Sequence, residues 1–259
     1  LRFGIIVSKL DIAGLLIAKK LEETGFDRQK FALHFIEREQ VFADEVNDFP
    51  EDFFIFASRH RAASGKPSLT CHPIGNWGKA ELGGKDRELV STSAFLLRNY
   101  LLELQQQKTA NNLPFEVTLE CSHHGPFLSK PTVFIEVGSS EQQWKDENAA
   151  LVVAQTILKA TNLNCGSNIV PVIGLGGTHY CSEFSKLVLR KQFAFSHVCP
   201  EHALPFLNEE MLHKALAASL EKSQMIVLDW KGLGKEKQRV LDLLSKQPLP
   251  VERVQRLLK

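Results

Sequence analysis

Short apolar runs of strand length alternate along this chain with longer stretches of helical character, and that alternation leaves few folds open. Residues 3–7, 31–36, 53–57, 115–120, 132–137, 169–173, 193–198 and 225–228 read as strands, with a shorter one at 69–71. Residues 11–24, 87–107, 140–160, 208–222 and 234–245 read as helices. Asp11 suits the first helix as its N-cap and Gly25 as its stop, and Ser140 with Gln143 forms a capping box for the third. Strands separated by helices need crossover connections, which set successive strands parallel. The expected class is therefore α/β, a mainly parallel central sheet covered by helices on both faces. A chain of 259 residues, 44% hydrophobic, can build one α/β unit over 1–259 or two lobes packed as one. Residues 67–130 are where an inserted second lobe is expected.

Composition narrows the function classes. No window approaches 18 uncharged apolar residues, so no membrane-spanning helix is expected. The opening residues read as a first strand rather than a signal-peptide core. Five scattered cysteines without a CxxC pair fit a reducing cytoplasm. The net charge is only +1, yet residues 230–259 carry eight Lys or Arg against three Asp or Glu, while the rest of the chain carries 23 against 27. A basic tail on a slightly acidic body can grip a phosphate backbone, though a solvated lysine-rich helix face gives the same pattern.

Histidines supply the chemical clue. Six of the nine, His72, His123, His124, His179, His197 and His202, fall at or near strand ends. In a parallel sheet, loops at the carboxyl edges of the strands converge on one crevice. His72 opens a Gly-rich loop, His123 and His124 follow the strand ending at Glu120, and His179 follows the glycines at 174–177. Neutral imidazoles beside carboxylates such as Glu120 and Glu136 are what zinc prefers. One histidine at a strand end is ordinarily structural; several on separate loops argue for a metal site held by His72, His123, His124 and His179. In strand geometry His123 and His124 would face opposite sides, so a turn helped by Gly125-Pro126 is required for both to point inward.

Two glycine loops, Gly75-Asn76-Trp77-Gly78 and Gly174-Leu175-Gly176-Gly177, can aim backbone N–H groups at an anion or serve only as tight turns. Asn76, Gly78, Gly176 and Gly177 are accordingly the candidate substrate- or phosphate-binding positions. A P-loop lysine and a GxGxxG are both missing, so no nucleotide cofactor is expected. There is no GxSxG elbow, and although Cys121 and Cys199 lie near histidines, nothing fixes a Cys–His nucleophile.

The same loops carry a family likeness. GIIVSKLDIAG at 4–14, LTCHPIGNWGKAELGG at 69–84, ECSHHGP at 120–126, PTVFIEVGSSEQQW at 131–144, GLGGTHY at 174–180 and LDWKGL at 228–233 resemble the archaeal and plant type of D-aminoacyl-tRNA deacylase, first described as D-tyrosyl-tRNA deacylase. The matching stretches span nearly the whole chain in order; the tail after Gly234 is less distinctive. The resemblance implies hydrolysis of the ester between a D-amino acid and the 3′-terminal ribose of tRNA. It also implies zinc, and a fold similar to bacterial peptidyl-tRNA hydrolase (the phosphorylase-like class). Its histidine motifs fall on His72, His123, His124 and His179 in this chain.

The working expectation is metal-assisted ester hydrolysis, with Glu120, Glu136 and His124 as catalytic candidates and the 174–177 loop as a source of oxyanion donors. The expected partner is tRNA carrying a D-amino acid, bound by a cytoplasmic monomer. Two other readings stay open: a zinc aminopeptidase or other amidohydrolase with the same His/Glu chemistry, and a non-catalytic tRNA-binding module whose histidines are structural.

Overall fold

The computed structural model describes residues 1–162 and 164–259. Its first half builds β1 (Phe3–Ser8), α1 (Ile12–Thr24), β2 (Phe31–Ile36), β3 (Phe53–Arg61), β4 (Ser68–His72), α2 (Ala94–Ala110), β5 (Glu116–Leu119), β6 (Thr132–Ser139), the single turn α3 (Glu141–Trp144) and α4 (Glu147–Ala160). The remainder adds β7 (Val170–Leu175), α5 (Ser182–Arg190), β8 (Phe193–Cys199), α6 (Glu209–Ala217), β9 (Met225–Leu228), α7 (Lys237–Leu244), β10 (Val251–Arg253) and α8 (Val254–Leu257).

Two sheets result. The first has strand order β2-β1-β3-β6-β4-β5; β1, β2, β3 and β6 are parallel, while β4 runs antiparallel to β6 and carries β5 parallel to itself. The second, order β10-β9-β7-β8, is parallel throughout. The protein is thus mixed α/β with mostly parallel sheets flanked by helices. Residues 67–130 place β4 and β5 in the first sheet, and it is residues 170–253 that form the second.

Strand periodicity decides which face each residue serves. On β3, Phe53, Ile55 and Ala57 pack beneath α1 and α4, together with Val133, Ile135 and Val137 of β6. Their neighbours Phe54 and Phe56 turn to the other face, where Phe56 stacks on Phe134 with ring centroids 4.5 Å apart. That face lies under short turns around residues 40–48 and the loop segments near Ile74, Val90 and Leu128. Each such fully buried side chain contributes about 1.5–3 kcal/mol. Continuing the same parity, Ser58 and His60 on β3 and Glu136 on β6 follow the phenylalanines, so this face changes from apolar to polar toward the strand ends. The second sheet has helices on both faces: α5 and α8 with Val172, Phe195 and Val227, and α6 and α7 with Ile173, Ile226 and Leu228. Helix α2 touches strands of both sheets and joins them in one core.

Several expected boundaries move. The helix expected over 87–107 begins at Ala94, because Arg87 is left-handed (φ 54°) and the backbone of 88–92 bonds sideways, Val90 N–H to Ile74 C=O and Thr92 N–H to Ala218 C=O. Ser93 is the true cap, accepting from the Leu96 N–H at 3.1 Å. The Ser140–Gln143 capping box is present but starts only α3; Asp146 then caps α4. Asp11 caps α1 as expected, and its other oxygen accepts from the Arg59 N–H at 2.8 Å.

Candidate functional site

At the polar end of the first sheet, register sets the first groups. Ser58 lies opposite Glu136 and His60 opposite Gly138 in the β3–β6 pair, while His72 at the end of β4 lies opposite Phe134. His60 fits against β6 only because residue 138 is glycine: a Cβ there would stand 2.6 Å from the His60 Cβ. From β5 the chain passes through Glu120 into the turn holding His123 and His124. That turn is tied to its surroundings by Cys121 N–H to His179 C=O, Ser122 N–H to Val198 C=O and Gly75 N–H to His124 C=O. His179 and Tyr180 arrive on the loop after β7.

His124 adopts φ +47°, and this reversal lets both imidazoles of the pair face inward, rings 4.3 Å apart. A left-handed residue that is not glycine costs about 1–2 kcal/mol, so the surroundings must over-determine it. Gly125 allows them to: a Cβ at 125 would meet the Gly84 nitrogen at 2.2 Å.

Hydrogen bonding fixes the tautomers. Nδ1 of His72 faces the Pro73 carbonyl at 3.1 Å, that of His123 the Cys121 carbonyl at 2.8 Å, and that of His124 the Gly125 carbonyl at 2.6 Å. Carbonyls only accept, so each Nδ1 donates its proton and each Nε2 keeps a free lone pair. His72 Nε2 is buried without a hydrogen-bond partner among the described residues. Ligand-type atoms of these three histidines lie within 4.8 Å of one another. Backbone carbonyls on one ring nitrogen and an open lone pair on the other are what metal-ligating histidines show, so the donor set fits a divalent ion such as zinc.

Beside the triad sit the two carboxylates, both buried. Glu120 contacts His179 Nε2 at 2.7 Å, His60 Nδ1 at 3.1 Å and His123 Nε2 at 3.7 Å. Glu136 contacts His60 Nδ1 at 3.3 Å and His72 Nε2 at 3.7 Å, and accepts from the Ser58 hydroxyl at 2.5 Å. Burial by itself would raise both carboxyls, but the neighbouring charged imidazoles outweigh it: His179 and His60 hold Glu120 low, and His60 holds Glu136 lower still. For the imidazoles burial acts downward. In His60 the carboxylates overcome it and push the ring up to about 9, with Tyr180 Oη 2.7 Å from Nε2. His179 is likewise raised, by Glu120. At His123 and His124 burial outweighs the more distant carboxylates, pulling His124 down to about 4 and His123 well below its ordinary value. A charged His60/His179–carboxylate group therefore abuts a pair of neutral imidazoles. Above them opens a cavity of about 370 Å³ whose walls include Asp11, Gln40, Arg59, Leu82 and Phe134.

All six of Glu120, Glu136, His72, His123, His124 and His179 thus meet in one cluster. The glycine-loop candidates do not behave as anion donors. Gly176 N–H bonds the Cys199 carbonyl and Gly177 N–H the Gly232 carbonyl, so neither is free for an oxyanion. Asn76 spends its amide on the Gly83 and Lys85 carbonyls, shaping the loop that abuts Gly125, and Gly78 packs against the Phe206 ring. His197 is buried in β8, its Nδ1 2.9 Å from Ser122 Oγ, and His202 is exposed. Cys121 lies 3.7 Å from His179 Nδ1, but burial pushes its thiol far above the usual range, against a nucleophilic role. In the basic tail, Arg253 and Lys237 lie over the Trp230 ring and Arg239 bonds the Leu204 and Leu207 carbonyls, so part of its charge is structural. The groups that sequence reasoning missed are His60, Ser58 and Tyr180.

The sequence profile described as D-aminoacyl-tRNA deacylase matches residues 48–252. The chain is 35% identical over 239 residues to the D-aminoacyl-tRNA deacylase of Cenarchaeum symbiosum, covering 91% of this chain and 92% of that protein. It is 33% identical over 250 residues to the D-aminoacyl-tRNA deacylase of Pyrococcus furiosus, covering 88% and 90%. A crystal structure of a conserved protein of unknown function superposes with a TM-score of 0.89 at 28% identity, over 99% of this chain and 96% of the other. Among the described residues no helix is long and apolar enough to cross a membrane.

Proposed function

The chain belongs to the D-aminoacyl-tRNA deacylase family, and from that premise we propose that it hydrolyses the ester joining a D-amino acid to the 3′-terminal ribose of cytoplasmic tRNA, using zinc held by His72, His123 and His124. The observation that carries the metal assignment is that three clustered histidines, with ligand-type atoms within 4.8 Å of one another, each spend Nδ1 on a carbonyl, and that the His72 Nε2 is buried and unpaired among the described residues. Zinc bound there would supply a Lewis acid next to two buried carboxylates.

The chain's own groups divide the proton work. Glu136 lines the cavity and Glu120 does not, so Glu136, oriented by Ser58 and His60, is the carboxylate placed to take a proton from the attacking water as the new C–O bond forms. Glu120, fully buried beneath the cluster, keeps His60 and His179 protonated. His179, at the mouth of the site and raised by Glu120, returns a proton to the ribose oxygen as the ester C–O bond breaks. Tyr180 holds the His60 ring in register. An aminoacyl ester of either hand has nearly the same reactivity, so discrimination falls to the cavity walls, where the wrong hand would clash or strand polar groups.

The test is to incubate the protein with D- and L-aminoacylated tRNA, before and after chelation and after zinc is restored, and to follow amino-acid release. Loss on chelation and recovery with zinc, for the D-ester alone, is expected; His72→Ala and His179→Ala should be folded and slow. The reading is refuted if both variants keep full activity, or if His72→Ala keeps full metal content. Salt-sensitive tRNA binding without hydrolysis would instead mark a binding module, and peptide cleavage an amidohydrolase.

A further inference from the structure

A second cavity of about 450 Å³ lies on the far side of Tyr180 from the histidine cluster, within the roughly 300–1,000 Å³ typical of small-ligand sites. Its place in the fold is the gap between β5, the amino end of β4 and α5. Val117, Leu189 and Tyr180 give it apolar walls, and Lys66, Lys108 and Lys186 stand around it. Lys186 is paired with Glu183 at 2.6 Å, but Lys66 and Lys108 make no ion pair among the described residues. Glu116 is the acidic group on the lining. Tyr180 joins the two cavities: it lines this one, while its hydroxyl meets His60 at 2.7 Å in the other. An apolar, aromatic-walled pocket with unpaired lysines is suited to a base and its phosphate, and here it sits one side chain from where the ester must react.

We propose that this cavity binds a nucleotide of the single-stranded 3′ end of tRNA, one preceding the ester-bearing terminal residue, with its base between Tyr180, Val117 and Leu189 and its phosphate against Lys66 and Lys108. This rests on the deacylase reading of the first cavity. The two lysines do not touch the histidine cluster, so replacing them leaves the chemistry intact and weakens only the hold on the strand.

The experiment compares binding of uncharged tRNA with binding of tRNA lacking its three 3′-terminal nucleotides, for the wild type and a K66A/K108A double variant, across a salt series. The wild type should prefer intact tRNA about tenfold. The variant should lose that preference, with a log-log salt slope for intact tRNA shallower by about 0.7, the value for one single-strand phosphate contact. Alongside, hydrolysis of a D-aminoacyl ester of adenosine alone should proceed at the wild-type rate in the variant. A variant that keeps the wild-type preference for intact tRNA overturns the proposal, as does one that loses hydrolysis of the adenosine ester. If the wild type distinguishes the two tRNAs and the variant does not, yet the wild type hydrolyses neither the adenosine ester nor D-aminoacyl-tRNA, the deacylase reading falls and the cavity assignment stands.

Discussion

Acid should weaken this protein through His197, a residue outside the reacting cluster. It is fully buried in β8 against Ser122, and burial pulls its pKa down to about 4. In the unfolded chain the same ring titrates near 6.5. As pH falls below about 6.5 the unfolded state takes up the proton first, so stability declines until the folded ring also protonates near pH 4. Linkage puts the loss at about 2 kcal/mol by pH 5 and about 3 kcal/mol in full. Urea unfolding of chelated protein at pH 7.5 and pH 5 measures it, with His197→Asn as the reference because an amide can still reach Ser122 Oγ. Wild type should lose about 2 kcal/mol more than the variant between those two conditions. Equal losses would mean that His197 does not hold its proton-free form through burial, and the account of this contact would be wrong.

Zinc at a hundredfold excess over its dissociation constant should stabilise the protein by about 2.7 kcal/mol, seen as a rise in Tm that chelation reverses; His72→Ala should melt at the same temperature with and without zinc, and a persistent shift would move the ion elsewhere. Gly138→Ala pushes a methyl to 2.6 Å from the His60 Cβ, so urea midpoints should report a loss of about 1–3 kcal/mol. Deacylation should fall further than the unfolded fraction explains, and unchanged turnover would detach His60 from the reaction.

How much of this was readable beforehand depends on how local each feature is. Alternating strand and helix segments are local, and they were sufficient for the class; histidines at strand ends were sufficient for the cluster, because converging loops are a property of the class. His60 escapes a sequence reading because Ser58-Arg59-His60-Arg61 looks like loop, although Phe54, Phe56, Ser58 and His60 keep one parity and belong to one strand. The reversed direction of β4 is hidden by the same misreading: with β3 running to Arg61, only residues 62–67 remain before Ser68, too few for a parallel crossover. Nor do Gly176 and Gly177 reveal that their N–H groups are already spent, because the acceptors at Cys199 and Gly232 lie far along the chain. The helix expected over 87–107 failed for a similar reason: Thr92 is drawn to Ala218, a contact between distant segments.

The loop from Glu120 to His124 hangs from both sheets, through Cys121 to His179 and Ser122 to Val198 on one side and through Gly75 on the other. During synthesis the first sheet can fold while residues 170–199 are still being made. Such a partial chain would already own six of the seven histidine and glutamate side chains, but would lack His179 and the His179 and Val198 carbonyls that anchor Cys121 and Ser122. Competence to cut an ester therefore arrives late and all at once, and a nascent or truncated copy stays inert among the charged tRNAs that surround it.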